Sequence, residues 1–483
     1  MNVKGTCVNM SMENTQHIVI IGGGITGLST AFYLFKSAEE QQLPIRITLL
    51  EAKSRIGGKI RTELFQGFVM EKGPDSFLER KISAKQLAID LGIEDQLVRN
   101  QTGQAYILHQ SRLHPIPEGS VMGVPTRLSP FISTRLFSPV GKMRAALDLL
   151  LPRQTLDKDV SVGSFFRHRL GNDVVDHLIE PLLSGIYGGN LDQLSLKATF
   201  PQFAQMEEKY RSLILAMKKS RSTNLPGKPK GQFLTLKNGL YAFVEAIEKK
   251  LPSNTIHRNS VVKAIEKTDK NYQIQLENGK PLTADAVIVT TPYPTLTQML
   301  PSIDLPKPPN HTPATTVATV ILGFDDQTEV ETPYEGTGFV VPRTENTTIT
   351  ACTWTHKKWP HTTPDGKVLL RFYIGRPGNA AIVAESDSSI LEHVQKDMAK
   401  VMNIRKQPSF YRITRWREAN PQYTVGHTEW VKQLEVHLNS NLPGLFLAGA
   451  PYRGVGIPDC IDQGKRAVQE VLQFLNLKST IHT

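Results

Sequence analysis

Six residues, Gly22-Gly23-Gly24-Ile25-Thr26-Gly27, follow a short β-branched run at 17–21 and precede a helix-forming stretch at 28–36. That context gives each glycine a physical task. Gly22 makes a tight turn, Gly24 lets the backbone approach a diphosphate, and Gly27 lets helix and strand pack closely, so that the diphosphate meets amides at the helix start. A second strand-like run, 45–50, ends at Glu51, a carboxylate placed to accept from adenosine ribose hydroxyls and to disfavour a 2′-phosphate. A glycine-rich turn without a ligand is the plain alternative; strand, helix and downstream Glu together favour a dinucleotide.

The chain of 483 residues is long enough for about three structural units. Hydrophobic residues at 40% and charged residues at 21% are those of an ordinary folded protein. Lys and Arg exceed Asp and Glu by 56 to 45, a formal charge of +11 that favours anionic partners. Nucleic acid is not expected, because the densest basic stretch, 218–230, is rich in Pro, Gly and Ser and lacks interleaved aromatics. An acidic small molecule or an anionic membrane surface fits better. Cys7, Cys352 and Cys460 are far apart, and the thirteen histidines form no HxH, HExxH or CxxCH pattern, so neither a metal site nor a disulfide framework is expected. A reducing cytoplasm suits that cysteine usage. Residues 17–35 are apolar but broken by glycines, and no other stretch approaches a spanning length, which limits expected membrane contact to a peripheral one.

Further along, Ala52-Lys53-Ser54-Arg55-Ile56-Gly57-Gly58-Lys59 resembles the second fingerprint of the FAD amine-oxidase superfamily, absent from NAD dehydrogenases. The resemblance implies FAD as the dinucleotide. Near the other end, 445–450 reads as a buried strand, and 454–459 leads into a helix at 460–475, with Pro458 suited to a first turn. In that superfamily such a unit aims helix-end amides at the flavin ring or the diphosphate; an ordinary βα unit is the alternative.

Between these ends the pattern changes. Apolar spacing at 140–151, 164–170, 174–183 and 212–219 predicts helices, while 239–250 predicts a helix and 256–265, 271–276 and 286–290 strands of the nucleotide unit. Alternating β-branched and aromatic residues at 317–324, 347–355 and 368–374 predict an antiparallel sheet able to floor a substrate cavity. The expected fold class is α/β: a discontinuous FAD-binding Rossmann-type domain (15–95, 226–300, 437–476), a helical insert (96–225), an antiparallel-sheet substrate domain (301–436), and tails at 1–14 and 477–483. Ligands then belong in the crevice between units.

Three longer strings narrow the resemblance: residues 73–81 (GPDSFLERK), 180–189 (EPLLSGIYGG) and 454–464. They are similar to the oxygen-dependent protoporphyrinogen and coproporphyrinogen oxidase family, over residues 17 to about 475. Asp75, Ser76 and Lys81, with residues 351–355 (ACTWT), resemble its Gram-positive branch, which makes coproporphyrin III. The resemblance implies FAD contacts at Gly22, Gly23, Gly24, Ile25, Thr26 and Gly27, at Glu51, Ala52 and Lys59, at Gly73, Pro74, Asp75 and Ser76, at the backbone of Val262, at Trp416, and at Val455, Gly456 and Ile457. Taken alone, Val262 and Trp416 would read as packing, and Gly73-Pro74 as a turn.

Loss of six electrons from a porphyrinogen suits a flavin reoxidised by O2 to hydrogen peroxide, with the protein orienting and shielding. No Ser-His-Asp or paired-carboxylate machinery is required, and none is evident. Four propionates around an apolar macrocycle call for cations at a rim and apolar walls. Lys81 is the first candidate cation; Arg80, Arg343 and Arg371 fit surface solvation better. Ile186, Phe339 and Tyr373 are candidate walls that would serve equally in a core. On the same fold an amine oxidase or carotenoid-type desaturase is the nearest rival, and a non-catalytic flavin and porphyrin carrier handing product to a ferrochelatase is a rival of another class. Transient ferrochelatase contact is also compatible with catalysis.

Overall fold

The computed structural model describes residues 15–154, 158–221, 231–309, 314–330 and 333–477. The expected tails at 1–14 and beyond 477, and residues 222–230 of the basic stretch, lie outside the described residues.

Five parallel strands form the nucleotide unit, in the order Ile256–His257, Ile45–Leu50, Gln16–Ile21, Ala286–Val289 and Leu445–Leu447. At the centre of the sheet, 18–21 and 286–289 read as unbroken apolar runs because both faces are covered. Ile18 and Ile20 pack with Leu28, Leu34 and Val468 of the helices Ile25–Gln41 and Ile457–Phe474. On the other face, Val19 and Ile21 meet Leu434 and Leu438 of the helix His427–Asn441. The first and last helices cross closely at Gly464, where a Cβ would lie 2.8 Å from Ser29 Oγ.

A seven-stranded sheet forms the second layer, ordered Phe410–Asn420, Thr315–Phe324, Val368–Ile374, Ile349–Trp354, Gly338–Val340, Tyr106–His109 and Arg112–Pro115. One face packs on the helix Asp387–Met402 through Val320, Leu370, Phe372, Ile390 and Val394. Alternation sends Thr319, Ile321, Leu369, Arg371 and Tyr373 to the opposite face, where Ile321 and Leu369 meet Phe68 and Met70. Hydrogen bonds cross that seam: Thr319 Oγ1 donates to Lys72 O (2.9 Å), Trp416 Nε1 to the same carbonyl (2.9 Å), and Arg371 to Gly73 O.

The expected α/β class holds, while several elements differ from their predicted form. Residues 106–115, expected in a helical insert, form a hairpin on the sheet edge, with Tyr106 and Ile107 paired in parallel to Phe339 and Val340. The predicted strand 256–265 is two strands in different sheets, divided where Asn259 adopts a φ of 55°. The predicted helix 174–183 opens into a wide π-turn at Val175–Ile179 before the helix Glu180–Tyr187. Pro181 has no amide hydrogen to donate back, and the chain widens just ahead of it. Among the described residues, no helix is long and apolar enough to cross a membrane.

Candidate functional site

Three glycines of the opening turn do different work. A Cβ at Gly27 would lie 2.0 Å from Gly22 O, and one at Gly22, whose φ is 110°, 2.6 Å from Thr290 Oγ1. Internal packing alone therefore demands both glycines. A Cβ at Gly24 would meet nothing within 4 Å. Gly24 is also the N-cap of the helix Ile25–Gln41, which has no side-chain cap and no acidic residue in its first turn. The opening amides thus face free space with a favourable dipole for an anion.

Glu51 borders this cradle. Its Oε2 accepts from Gly23 N (2.8 Å) and its Oε1 from Lys53 N (2.9 Å), which leaves lone pairs on both oxygens for hydroxyl donors. Gly57 N donates to Gly23 O (2.7 Å), docking the second fingerprint on the first, with Ala52 exposed alongside. Asn259 and Ser260 bond to the carbonyls of Lys53 and Glu51 (3.1 and 2.8 Å), bringing Val262 to the Glu51 end.

At the other end, Lys59, Gly73 and Trp416 converge. Lys59 Nζ donates to Ala419 O, and desolvation lowers its ammonium pKa. A Cβ at Gly73 would lie 1.9 Å from Lys59 O and 3.5 Å from the Trp416 ring. Pro74 follows, and Thr235 Oγ1 donates to Asp75 O (2.9 Å). The Asp75 side chain is turned into the protein, accepting from Ser76 Oγ (2.8 Å), Lys358 Nζ (2.7 Å) and Trp359 Nε1 (3.3 Å). Burial opposes its charge, but Lys358 and Arg371 hold its carboxyl well below the usual range.

Residues 455–457 start the last helix, whose N-cap, Gly456, also has no side-chain cap. Tyr423 shapes this turn: its hydroxyl donates to Ala450 O (2.6 Å) and accepts from Gly454 N (2.7 Å). The same ring stacks on His427, centroids 3.9 Å apart.

The substrate candidates separate. Lys81 pairs with Asp459 in the first turn of the last helix (2.5 and 2.7 Å), so its charge is already engaged. Ile186 is 52% exposed on the helix Glu180–Tyr187. Tyr373 lies on the seam-facing side of the sheet, its ring 4.9 Å from the Arg371 guanidinium carbon and its hydroxyl 3.4 Å from Thr353 Oγ1. Phe339 corrects the expectation. It pairs with Cys352 and packs beneath the helix Asp387–Met402, because strand alternation points it to the face opposite Tyr373. Arg371 is not a surface residue, being only 4% exposed. Arg343 braces the helix Glu180–Tyr187, bonding Glu180 (2.7 Å) at its start and Gly189 O (3.1 Å) past its end. Arg80 is exposed.

Sequence reasoning missed Lys358, Trp359, Tyr423 and Asp459. Asp459 had a signal, an acidic residue just after Pro458 in a first helical turn. The others had none, since Lys358 stands 283 positions from its partner.

Residues 25–472 match the family of flavin containing amine oxidoreductases. The chain is 50% identical to the coproporphyrinogen III oxidase of Bacillus subtilis (strain 168), over 96% of this chain and 99% of that one. It is 44% identical to the coproporphyrinogen III oxidase of Staphylococcus aureus, over 95% and 100%. A crystal structure from Exiguobacterium sp. 255-15, provisionally named a protoporphyrinogen oxidase, superposes with a TM-score of 0.86 at 40% identity, over 95% and 99%. Fold and site thus define a flavin-dependent oxidoreductase of the amine-oxidase class. Within that class the chain belongs to the coproporphyrinogen III oxidase family.

Proposed function

We propose that the chain binds FAD and oxidises coproporphyrinogen III to coproporphyrin III, with O2 as acceptor and hydrogen peroxide as product. The observation that carries the reading is the open side of Gly24: uncapped helix amides and Glu51 surround free space, in a chain half identical to a coproporphyrinogen III oxidase. Residues 22–27, Glu51, Ala52, Lys59, 73–76, Val262, Trp416 and 455–457 would hold the cofactor. When bound, it supplies the hydride-accepting chemistry.

The chain's own residues bind, orient and shield. Amides at two helix starts favour the diphosphate and the ring's electron-rich edge. Tyr373 and Ile186 offer surfaces to a macrocycle, and Lys81 with Asp459 sets the charge where the 73–81 loop meets the last helix. We read the chain as a nucleotide unit (15–95, 226–300 and 437–476), a helical insert (96–225) and a sheet unit (301–436); residues 106–115 pair with the sheet, and Trp430, Val431 and Leu434 pack on the nucleotide strands. A cytoplasmic setting, with transient transfer of product to a ferrochelatase, suits this chemistry.

Protoporphyrinogen IX is the second reading, favoured by the name of the Exiguobacterium relative. Initial rates on both porphyrinogens, with peroxide assayed in parallel, decide between them. A faster rate on coproporphyrinogen III is expected. Protein that stays colourless after incubation with FAD would refute both readings.

A further inference from the structure

Beneath the 73–76 loop, at the seam between the nucleotide unit and the seven-stranded sheet, lies a small internal cavity of about 20 Å³. Its polar lining includes Glu71, Asp75, Thr355 and Arg371, together with Thr235, Trp359 and Thr362, which donate to Asp75 O, Asp75 Oδ2 and Trp359 O. Arg371 is 4% exposed and Thr355 8% exposed. Arg371 donates one terminal nitrogen to Gly73 O and lays its guanidinium over Tyr373. Its Nε–H has no partner among the described residues, and neither has Thr355 Oγ1. Such buried groups are rare, and an unmade bond there is costly.

The two carboxyl groups are only partly used. Glu71 accepts from Leu240 N (2.5 Å) and Thr62 Oγ1 (3.0 Å), and Asp75 from Ser76, Lys358 and Trp359. A carboxylate offers about four lone-pair sites. The cavity therefore presents a cationic donor and a hydroxyl together with two acceptors. An anion there would face the Asp75 carboxylate; a cation would face Arg371. A neutral molecule that both accepts and donates satisfies both sides, and the volume holds about one water.

We propose that this cavity is an internal hydration site for a single water molecule, which accepts from Arg371 Nε–H and bonds Thr355 Oγ1, and that Arg371 so held is a positioning residue fixing the 73–76 loop against the substrate sheet. The water is independent of any activity. The positioning role rests on reading 73–76 as the flavin loop.

A crystal structure of the flavin-bound protein at a resolution that shows ordered solvent tests the site directly. Density within hydrogen-bond distance of both Arg371 Nε and Thr355 Oγ1 is expected, and a dry cavity overturns the proposal whatever the enzyme oxidises. Thr355→Val keeps the shape and removes the hydroxyl, and should lower the melting temperature by about 1–2 °C; an unchanged melting temperature counts against the site. Arg371→Lys keeps the charge but loses the Nε donor. With coproporphyrinogen III it should lower kcat roughly tenfold while KM changes little, since orientation rather than binding is lost. An unchanged kcat removes the positioning role. Absence of oxidation by the unaltered protein removes only the reading of its function, because the density and the melting temperature need no turnover.

Discussion

Lys358 Nζ lies 2.7 Å from Asp75 Oδ2, joining the sheet unit to the loop that follows the second fingerprint. Both side chains are mostly buried, at 12% and 16% exposure, so each charge depends on the other. Removing one partner strands the other. Asp75→Asn should therefore destabilise the protein by about 3 kcal/mol and lower its flavin content. Adding Lys358→Met should recover part of that loss; chemical denaturation of both variants measures it. Equal losses in the single and double variants would show that the pair does not couple.

Gly24 and Gly27 separate cofactor binding from folding. Gly27→Ala drives a Cβ into Gly22 O and should yield little folded protein. Gly24→Val places its side chain in free space where a diphosphate is expected. It should cost the flavin-free protein under about 1 kcal/mol, as an N-cap change, yet lower flavin affinity at least tenfold. Circular dichroism and flavin titration read the two effects, and a Gly24→Val protein with unaltered affinity would move the diphosphate elsewhere.

Glu71 is buried, and burial pushes its carboxyl up to about 7. In the unfolded chain it titrates near 4.5. Between these values the folded state holds the proton and the unfolded state does not, so its contribution is full below about 4.5 and is lost as pH rises through 7. Glu71→Gln should remove this slope. Melting curves across that range should show the unaltered protein losing ground to the variant as pH rises, and parallel curves would argue against the shift.

His427 has the opposite sign. Burial against Tyr423 pulls its imidazole down to about 4, from 6.5. Its contribution is present above 6.5 and lost as pH falls through 4. Because Tyr423 also holds Gly454 N, acid should loosen the turn at 454–457. Flavin release on acidification should be steeper in the unaltered protein than in His427→Gln, as followed by flavin fluorescence.

Lys81→Ala leaves Asp459 without its cation at the start of the last helix. If Lys81 acts through that contact, Asp459→Asn and the double variant should raise KM by similar factors. If Lys81 binds a propionate itself, Asp459→Asn should leave KM near its original value while Lys81→Ala raises it. A kinetic double-mutant cycle separates the two.

The nucleotide unit was legible in the chain because its signals are local. A glycine's missing Cβ, a β-branched run and a carboxylate at a strand end act within a few residues, and parallel strands covered on both faces stay apolar throughout. The family strings carried the class further, to 73–81, 180–189 and 454–464. Tertiary structure alone decided which side chains face the crevice. Phe339 and Tyr373 look alike as sheet aromatics, but strand alternation and register sent them to opposite faces. Arg371 looked like surface charge until the seam closed over it, and Lys81 like a free cation until the last helix brought Asp459 beside it. Pairing across hundreds of residues depends on how the layers pack, and no spacing along the chain encodes it.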